Sequence, residues 1–526
     1  MSRPVCLIIL DGFGISPETE GNPIRIAKMP VLNRLIAEYP YVALAAAEQN
    51  VGLSFGEMGN SEVGHMGLGS GQVIYQTLPR ISGAIENESF FTNAALLKAI
   101  AHVKKKQSRL HLVGLCSNGG IHAHIDHLLA LFRLCKDHEL HDVAVHAILD
   151  GRDTAADVGI QFITAIEESL NTVGVGAIAT IAGRQYSMDR DGHWDRIEAA
   201  YRLMVDGVGE RTAQHAVDAI KESYDRGVHD EEFQPTVIVD RDGVPRGRIQ
   251  DDDAVIFFNF RGDRARQLTK AFVLPTFDGF TREGIKNLCF VTMTEYETEL
   301  PVFVAFPPVL IDTPLASILA KAKKKQYHIA ETEKYAHVTY FFNGGTEAAF
   351  PGEVRELVPS PVAQSYDARP EMSAHAITEK LIGKIKERAF DFYLINYANP
   401  DMVGHTGNLQ ATVQALDVVD TCVGRVVEAM GAIGGVTLIT SDHGNCEVMI
   451  DPVTGRIDKE HSTNAVPLFV VDDARKQEKP RELVEQLKLT PPQIGILADV
   501  APTILEYMDI AIPKTMTGRS LLADLV

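Results

Sequence analysis

The sequence has no cysteine pairs at redox or zinc spacing, no bilayer-length apolar run, no excess of positive charge and no internal repeat or low-complexity tract. Each absence narrows what the chain does. Six scattered cysteines (Cys6, Cys116, Cys135, Cys289, Cys422 and Cys446) without a Cys-x-x-Cys read as reduced, core-packed thiols in a cytoplasmic protein. The longest apolar stretches fall well short of the ~20 residues a spanning helix needs, so no membrane partner is expected. A formal net charge of -20 removes the positive field that nucleic acid or an anionic membrane requires. A small anion remains possible, provided that local arginines overcome the global field.

What is present is ordinary globular composition, 45% hydrophobic and 23% charged, over 526 residues. That length exceeds one core, so two domains are expected. Val5–Leu10 is an unalternating apolar run, as in a strand buried on both faces of a parallel sheet, and Asp11-Gly12 follows it where ligands collect in open α/β sheets. From about Thr77 to Leu310 apolar strands (Arg109–Leu115, Val143–Leu149, Ala177–Ile181, Thr236–Val239, Ala254–Phe260) alternate with amphipathic segments such as Ala94–Lys105 and Asp157–Leu170. This reads as a second α/β domain, closed by Phe306-Pro307-Pro308. A third section resumes the rhythm with strands Phe392–Ile395 and Val436–Thr440.

Ser61 stands in Gly59-Asn60-Ser61-Glu62-Val63-Gly64-His65, a small-residue turn leading into a helix start. A hydroxyl there becomes a nucleophile only with a base or metal to activate it. Asp11, Asp401, His405, Asp442, His443 and His461 are residue types that supply one. Asp401 and His405 are four apart and share a helix face, while Asp442-His443-Gly444 follows a buried strand. Carboxylates and imidazoles in comparable number suit a divalent ion such as Mn²⁺, Mg²⁺ or Zn²⁺, and two such ions clamp the attacking and leaving oxygens of a phosphoryl transfer. In the middle section His122, Arg152, Asp153, Arg184, Arg190, Arg261 and Arg264 follow apolar runs in Gly- or Asp-containing loops, where arginine forks hold phosphate or carboxylate.

The motifs Asp11–Gly14, Gly59–His65, Asp150–Asp153, Asn396–Gly407 and Asp442–Asn445, in order over the whole length, resemble the cofactor-independent phosphoglycerate mutases. The resemblance implies interconversion of 3- and 2-phosphoglycerate in glycolysis and gluconeogenesis through a phosphoserine on Ser61. It implies two divalent ions, foremost Mn²⁺ with Mg²⁺ or Co²⁺ as alternatives, and no 2,3-bisphosphoglycerate. Asp401, His405 and His461 would hold one ion; Asp11, Ser61, Asp442 and His443 would hold the other. Lys334 would steady the transferring phosphoryl group, Asp153 would exchange protons with the glycerate hydroxyls, and His122, Arg152, Arg184, Arg190, Arg261 and Arg264 would bind substrate. The implied fold is an alkaline-phosphatase-like α/β/α domain (1–76 and 311–526) interrupted by an inserted α/β phosphotransferase domain (77–310), in a monomer. A metal-dependent phosphatase or phosphopentomutase of the same superfamily is the competing reading. Gly262 and Gln185 depart from the family pattern, where proline and tyrosine are expected, and both fall in substrate loops.

Overall fold

The computed structural model describes residues 3–478, 480 and 491–525. The chain divides into two compact units, Met1–Gln76 with Val309–Val526, and Thr77–Pro308. Strands β1 (Val5–Leu10) and β2 (Tyr41–Ala45) open the first unit. The second unit contributes β3 (Leu110–Leu115), β4 (Val143–Leu149), β5 (Ala177–Gly183), β6 (Arg211–Ala213), β7 (Thr236–Ile238), β8 (Ala254–Phe257), β9 (Cys289–Thr292) and β10 (Phe303–Val304). The first unit then resumes with β11 (Gln326–Glu331), β12 (Glu353–Val358), β13 (Phe392–Tyr397), β14 (Val436–Thr440), β15 (Val466–Val471) and β16 (Gln493–Ile496).

In the first unit the strand order is β12-β11-β13-β1-β14-β15-β2-β16, parallel except that β15 runs against both its neighbours. The apolar run of β1 has no alternation because both of its faces are covered. Val5, Leu7 and Ile9 enter one hydrophobic core, whereas Cys6, Ile8 and Leu10 enter the other. The unit is therefore a helix–sheet–helix sandwich. Its central strands β13, β1 and β14 are parallel and in direct register, so their carboxyl ends deliver loops side by side.

The second unit has a sheet of order β10-β9-β8-β3-β4-β5-β7-β6, with β7 antiparallel to β5, packed in one large hydrophobic cluster and a small one of Ala182, Leu203, Val237 and Val239. Element boundaries differ slightly from the sequence expectation, for local reasons. The strand expected to reach Phe260 stops at Phe257, because the Leu115 N–H turns to the Asn259 side chain rather than to a continuing strand. The helix expected from Asp157 starts at Gly159, whose N–H is taken by Asp230 Oδ2 at 2.7 Å. Among the described residues no helix is long and apolar enough to cross a membrane.

One polar chain runs through this second sheet. Thr180 Oγ1 lies 2.8 Å from His146 Nδ1, His146 Nε2 lies 2.9 Å from His111 Nδ1, and His111 Nε2 lies 3.1 Å from Asp253 Oδ2. With Asp253 ionised, the donors run from Thr180 to Asp253 and both imidazoles are neutral. Burial lowers the pKa of both rings; Asp253 and Asp142 raise that of His111, and Arg109 opposes protonation of either. The unfolded chain takes up protons near the ordinary histidine value of ~6.5 and the folded unit does not, so its stability must fall as pH drops below that value. We expect a progressive loss over roughly pH 6.5 to 5, with about 1.4 kcal/mol per pH unit as the upper limit for each ring. Denaturant unfolding followed by fluorescence of Trp194, the only tryptophan, checks this. A midpoint independent of pH over that range would contradict it.

Candidate active site

Ser61 is the first residue of the helix Ser61–Ser70, and the cap is Asn60, whose side chain accepts from the Val63 N–H. The serine hydroxyl is thus free of capping duty. Gly64 lets this helix lie directly on the loop after β14, since a Cβ there would stand 2.4 Å from the Asp442 carbonyl oxygen. The Oγ of Ser61 is met by His443 Nε2 at 2.9 Å, Lys334 Nζ at 2.8 Å and Asp11 Oδ1 at 3.3 Å. Asp11 follows β1, His443 follows β14, and Lys334 sits in a short 3₁₀ turn after β11.

Lys334 is buried and its ammonium lies 2.6 Å from both Asp11 Oδ1 and Asp401 Oδ2. Burial alone would lower its pKa, but those two carboxylates and Asp442 hold it charged far above the usual lysine value. Asp401 and Asp442 are driven the opposite way. Burial would raise them, yet Lys334 acts on Asp401, and His443 and His65 act on Asp442, keeping both ionised. His443 is desolvated, which disfavours its charge, but Asp442, Asp11 and Asp401 overcome this and lift it to about 9. It must give up that proton before its Nε2 can coordinate a metal.

Asp401 and His405 are one turn apart as expected, with His405 Nε2 3.3 Å from Asp401 Oδ1. His461 Nε2 lies 3.4 Å from the same oxygen and 3.0 Å from His405 Nε2. Each ring donates its Nδ1 proton to a backbone carbonyl, His405 to Lys459 (2.6 Å) and His461 to Gly59 (2.8 Å). Two Nε2 lone pairs consequently face one another beside a carboxylate, that of His405 also meeting Asn445 Nδ2 at 3.3 Å. A proton shared between the rings or a metal ion resolves this repulsion, so the donor set fits a cation. Asp442 Oδ2 gives a second such indication, being buried without a hydrogen-bond donor.

In each of two triplets, Asp401–His443–His461 and Asp11–His65–Asp442, the ligand atoms all lie within 4.8 Å of one another. His443 thus falls with Asp401 and His461, where the resemblance placed His405, although its Nε2 also lies 3.5 Å from Asp11 Oδ1 of the other set. His65 was not singled out from the sequence. Its Nδ1 lies 3.1 Å from Asp442 Oδ2 but 2.9 Å from the Ser61 carbonyl, to which it donates. Its Nε2 accepts from Asn396 Nδ2 at 3.0 Å. Both nitrogens are engaged, so His65 supports the serine and is not a free ligand. Asn396 also donates to Asp11 Oδ2 (2.7 Å), and Asn445 donates to Asp401 Oδ1 (2.9 Å). These amides fix the carboxylate orientations, and no spacing rule marks them in a sequence.

The second unit gathers the remaining expected residues. Arg184, buried, donates through Nη1 to Asp150 Oδ1 (2.5 Å) and Asp153 Oδ2 (2.6 Å), and its buried Nε has no partner. Asp150 also accepts from the Arg152 and Asp153 N–H groups, which shapes the Asp150–Asp153 turn. His122 Nε2 lies 4.0 Å from Asp153, and its Nδ1 lies 3.6 Å from Asp263, toward which Arg190 (3.0 Å) and Arg261 (3.3 Å) also point. Burial and the Arg184 charge lower His122 to about 4, leaving it neutral. Arg264 donates to the Met188 carbonyl, and its pKa is lowered by burial and then by Arg190, Arg184 and Arg152. Three neighbouring cations act against the charge of Arg264, and an anion bound beside it would relieve this. The Asp230–Phe233 loop, unremarked in the sequence, underlies this site: Glu231 pairs with Arg152 at 3.4 Å, and the Phe233 carbonyl accepts from Gly183 N–H, just before Arg184.

The family described as the BPG-independent PGAM N-terminus matches residues 81–298. A 2,3-bisphosphoglycerate-independent phosphoglycerate mutase of Clostridioides difficile (strain 630) is 48% identical over 524 residues, covering 99% of this chain and 100% of that protein. The chain belongs to this family. A mutase of the same name from Moorella thermoacetica is 47% identical, with 99% of each chain covered. The crystal structure of Leishmania mexicana phosphoglycerate mutase at low cobalt concentration matches with a TM-score of 0.54 at 30% identity, covering 99% of this chain and 97% of that one. Family membership favours the mutase over the phosphatase and phosphopentomutase alternatives.

Proposed function

We propose that the chain interconverts 3- and 2-phosphoglycerate without 2,3-bisphosphoglycerate, with Ser61 carrying the phosphoryl group as a phosphoserine. The observation that carries this is the convergence of His443 Nε2, Lys334 Nζ and Asp11 Oδ1 on Ser61 Oγ. Lys334 donates to the Oγ and favours its alkoxide, and since its other two N–H groups are held by Asp11 and Asp401, the N–H now on the Oγ is the one that would turn to a phosphoryl oxygen. Asp401, His405 and His461 would hold one divalent ion, and Asp11, Ser61, Asp442 and His443 the other. Such ions lower the hydroxyl pKa and neutralise charge on the transferring group.

Arg184, Arg190, Arg261, Arg264 and Arg152 would retain the glycerate through its carboxylate and phosphate, with His122 as a neutral donor. Asp153, held by Arg184, would pass protons between the glycerate hydroxyls. Manganese as the working metal, the cytoplasmic location and the monomeric state are part of this proposal, as are the roles of the metal-bearing unit (1–76 and 311–526) and the substrate-binding unit (77–310).

The test is conversion of 3-phosphoglycerate, coupled to enolase, with Mn²⁺ and without 2,3-bisphosphoglycerate. Stripping metal with a chelator should lower the rate at least about a hundredfold, and Mn²⁺ or Co²⁺ should restore it. Release of inorganic phosphate without 2-phosphoglycerate would replace the proposal with a metal-dependent phosphatase. Full turnover after chelation would remove the metal from the mechanism.

A further inference from the structure

Glu447 is fully buried, and among the described residues no lysine, arginine or histidine pairs with it. A carboxylate in that position is costly unless hydrogen bonds take up its charge. Four donors do so. Oε2 accepts from the Gly14 N–H at 3.0 Å and the Asn445 N–H at 2.9 Å, while Oε1 accepts from Asn464 Nδ2 at 2.9 Å and from the Ser462 hydroxyl.

The four donors come from three segments, and each segment carries candidate metal ligands. Gly14 belongs to the turn that begins at Asp11. Asn445 follows Asp442 and His443, and its own side chain holds Asp401. Ser462 and Asn464 directly follow His461. The close approach is specific to this sequence, because a Cβ on Gly14 would stand 2.2 Å from the Glu447 carboxyl carbon. Ser462 is further tied to the central segment by its N–H, which donates to the Gly444 carbonyl at 2.9 Å.

We infer that Glu447 is a positioning residue that fixes the three ligand-bearing loops against one another through four hydrogen bonds to one carboxylate, so that both metal sites are formed before an ion arrives. The inference rests on the two-ion reading above. A carboxylate is the only side-chain group that accepts from four N–H or O–H donors at once. Glutamine in its place presents an NH₂ to two donors, and aspartate falls one methylene short of the Gly14 and Asn445 amides.

The experiment measures Mn²⁺ binding to the metal-stripped full chain, by the electron paramagnetic resonance signal of free Mn²⁺, in the wild type and Glu447→Gln. We expect binding about 10- to 100-fold weaker in the variant, the range that follows loss of a ligand-orienting group. The rise in Tm on adding Mn²⁺ should shrink correspondingly, whereas a residue that only stabilised the fold would lower the apo and metal-loaded Tm alike. The KM for phosphoglycerate at saturating Mn²⁺ should stay within about twofold, because the expected substrate arginines belong to the other unit.

Mn²⁺ affinity within twofold of the wild type in a folded Glu447→Gln overturns the inference. If that variant does not fold, Ser462→Ala and Asn464→Ala, each removing one donor, decide it: weaker Mn²⁺ binding in either supports it, and wild-type affinity in both overturns it. A wild-type chain that takes up no divalent ion overturns the two-ion reading and this inference with it.

Discussion

Ser61→Ala should abolish phosphoglycerate interconversion, with the rate falling by about four orders of magnitude or more, as for removal of a covalent nucleophile. The chain should remain folded. Ser61 is helical by backbone conformation, the helix is capped by Asn60, and alanine favours that conformation at least as well as serine. Its Oγ contacts are with His443, Lys334 and Asp11, and Lys334 retains both carboxylate partners when the hydroxyl is gone. Enolase-coupled turnover and Tm measured on the same preparation separate the two effects. The wild type should also take up label from phosphoglycerate in an acid-stable form that the variant lacks. A variant keeping a tenth of the wild-type rate would refute Ser61 as nucleophile.

Arg184→Met should combine a large functional loss with a large structural one. The buried guanidinium neutralises Asp150 and Asp153 through one nitrogen, and removing it leaves Asp150, itself buried, without a cation. Breaking a buried pair from one side costs about 3–5 kcal/mol. Burial disfavours the Arg184 charge and Asp153 and Asp150 restore it, raising its pKa, so the guanidinium stays charged across the working range. On the proposed function its unpartnered Nε would donate to substrate, and kcat/KM should fall by about 10²- to 10⁴-fold. Arg184→Lys separates the roles. It retains charge but not the planar fork, so much of the stability should return while kcat/KM stays at least about tenfold down. Wild-type kcat/KM in Arg184→Lys would show that the fork does not touch substrate.

The candidate ligands were legible in the sequence because carboxylates and imidazoles directly follow apolar runs, and the structure places Asp11, Asp442 and His443 at the ends of adjacent strands. The groups that aim them were not. Asn396, Asn445 and Glu447 lie inside or beside the same motifs, but an amide or a carboxyl has no spacing that distinguishes a positioning contact from a surface turn. The strand β11 was hidden for a different reason. Its buried Gln326, His328 and Glu331 break the apolar pattern, and each is satisfied internally, Gln326 by the Ala316 carbonyl, His328 by the Val338 carbonyl and Glu331 by the Ser360 hydroxyl. The edge strand β12 alternates weakly, with Val354 and Leu357 exposed, and gave no signal of its own. Asn60 rather than Ser61 proved to be the cap, a distinction that side-chain preference alone could not make, since both residues cap well.

The placement of β1 between β13 and β14 has a consequence for how the molecule comes into being. Ser61 and His443 are 382 positions apart, and Gly12 meets Asp442 across 430. The first strand translated therefore emerges into a state in which neither of its sheet neighbours exists, and both of its faces stay uncovered until most of the chain has been made. Closing such long loops is slow, and exposed strand edges invite misassembly meanwhile. A site whose candidate ligands run from Asp11 to His461 is incomplete in a partly synthesised chain. Premature termination just before Asp442 leaves a product that lacks Asp442, His443 and His461, three of the seven candidate ligands, so a truncated chain should be inert.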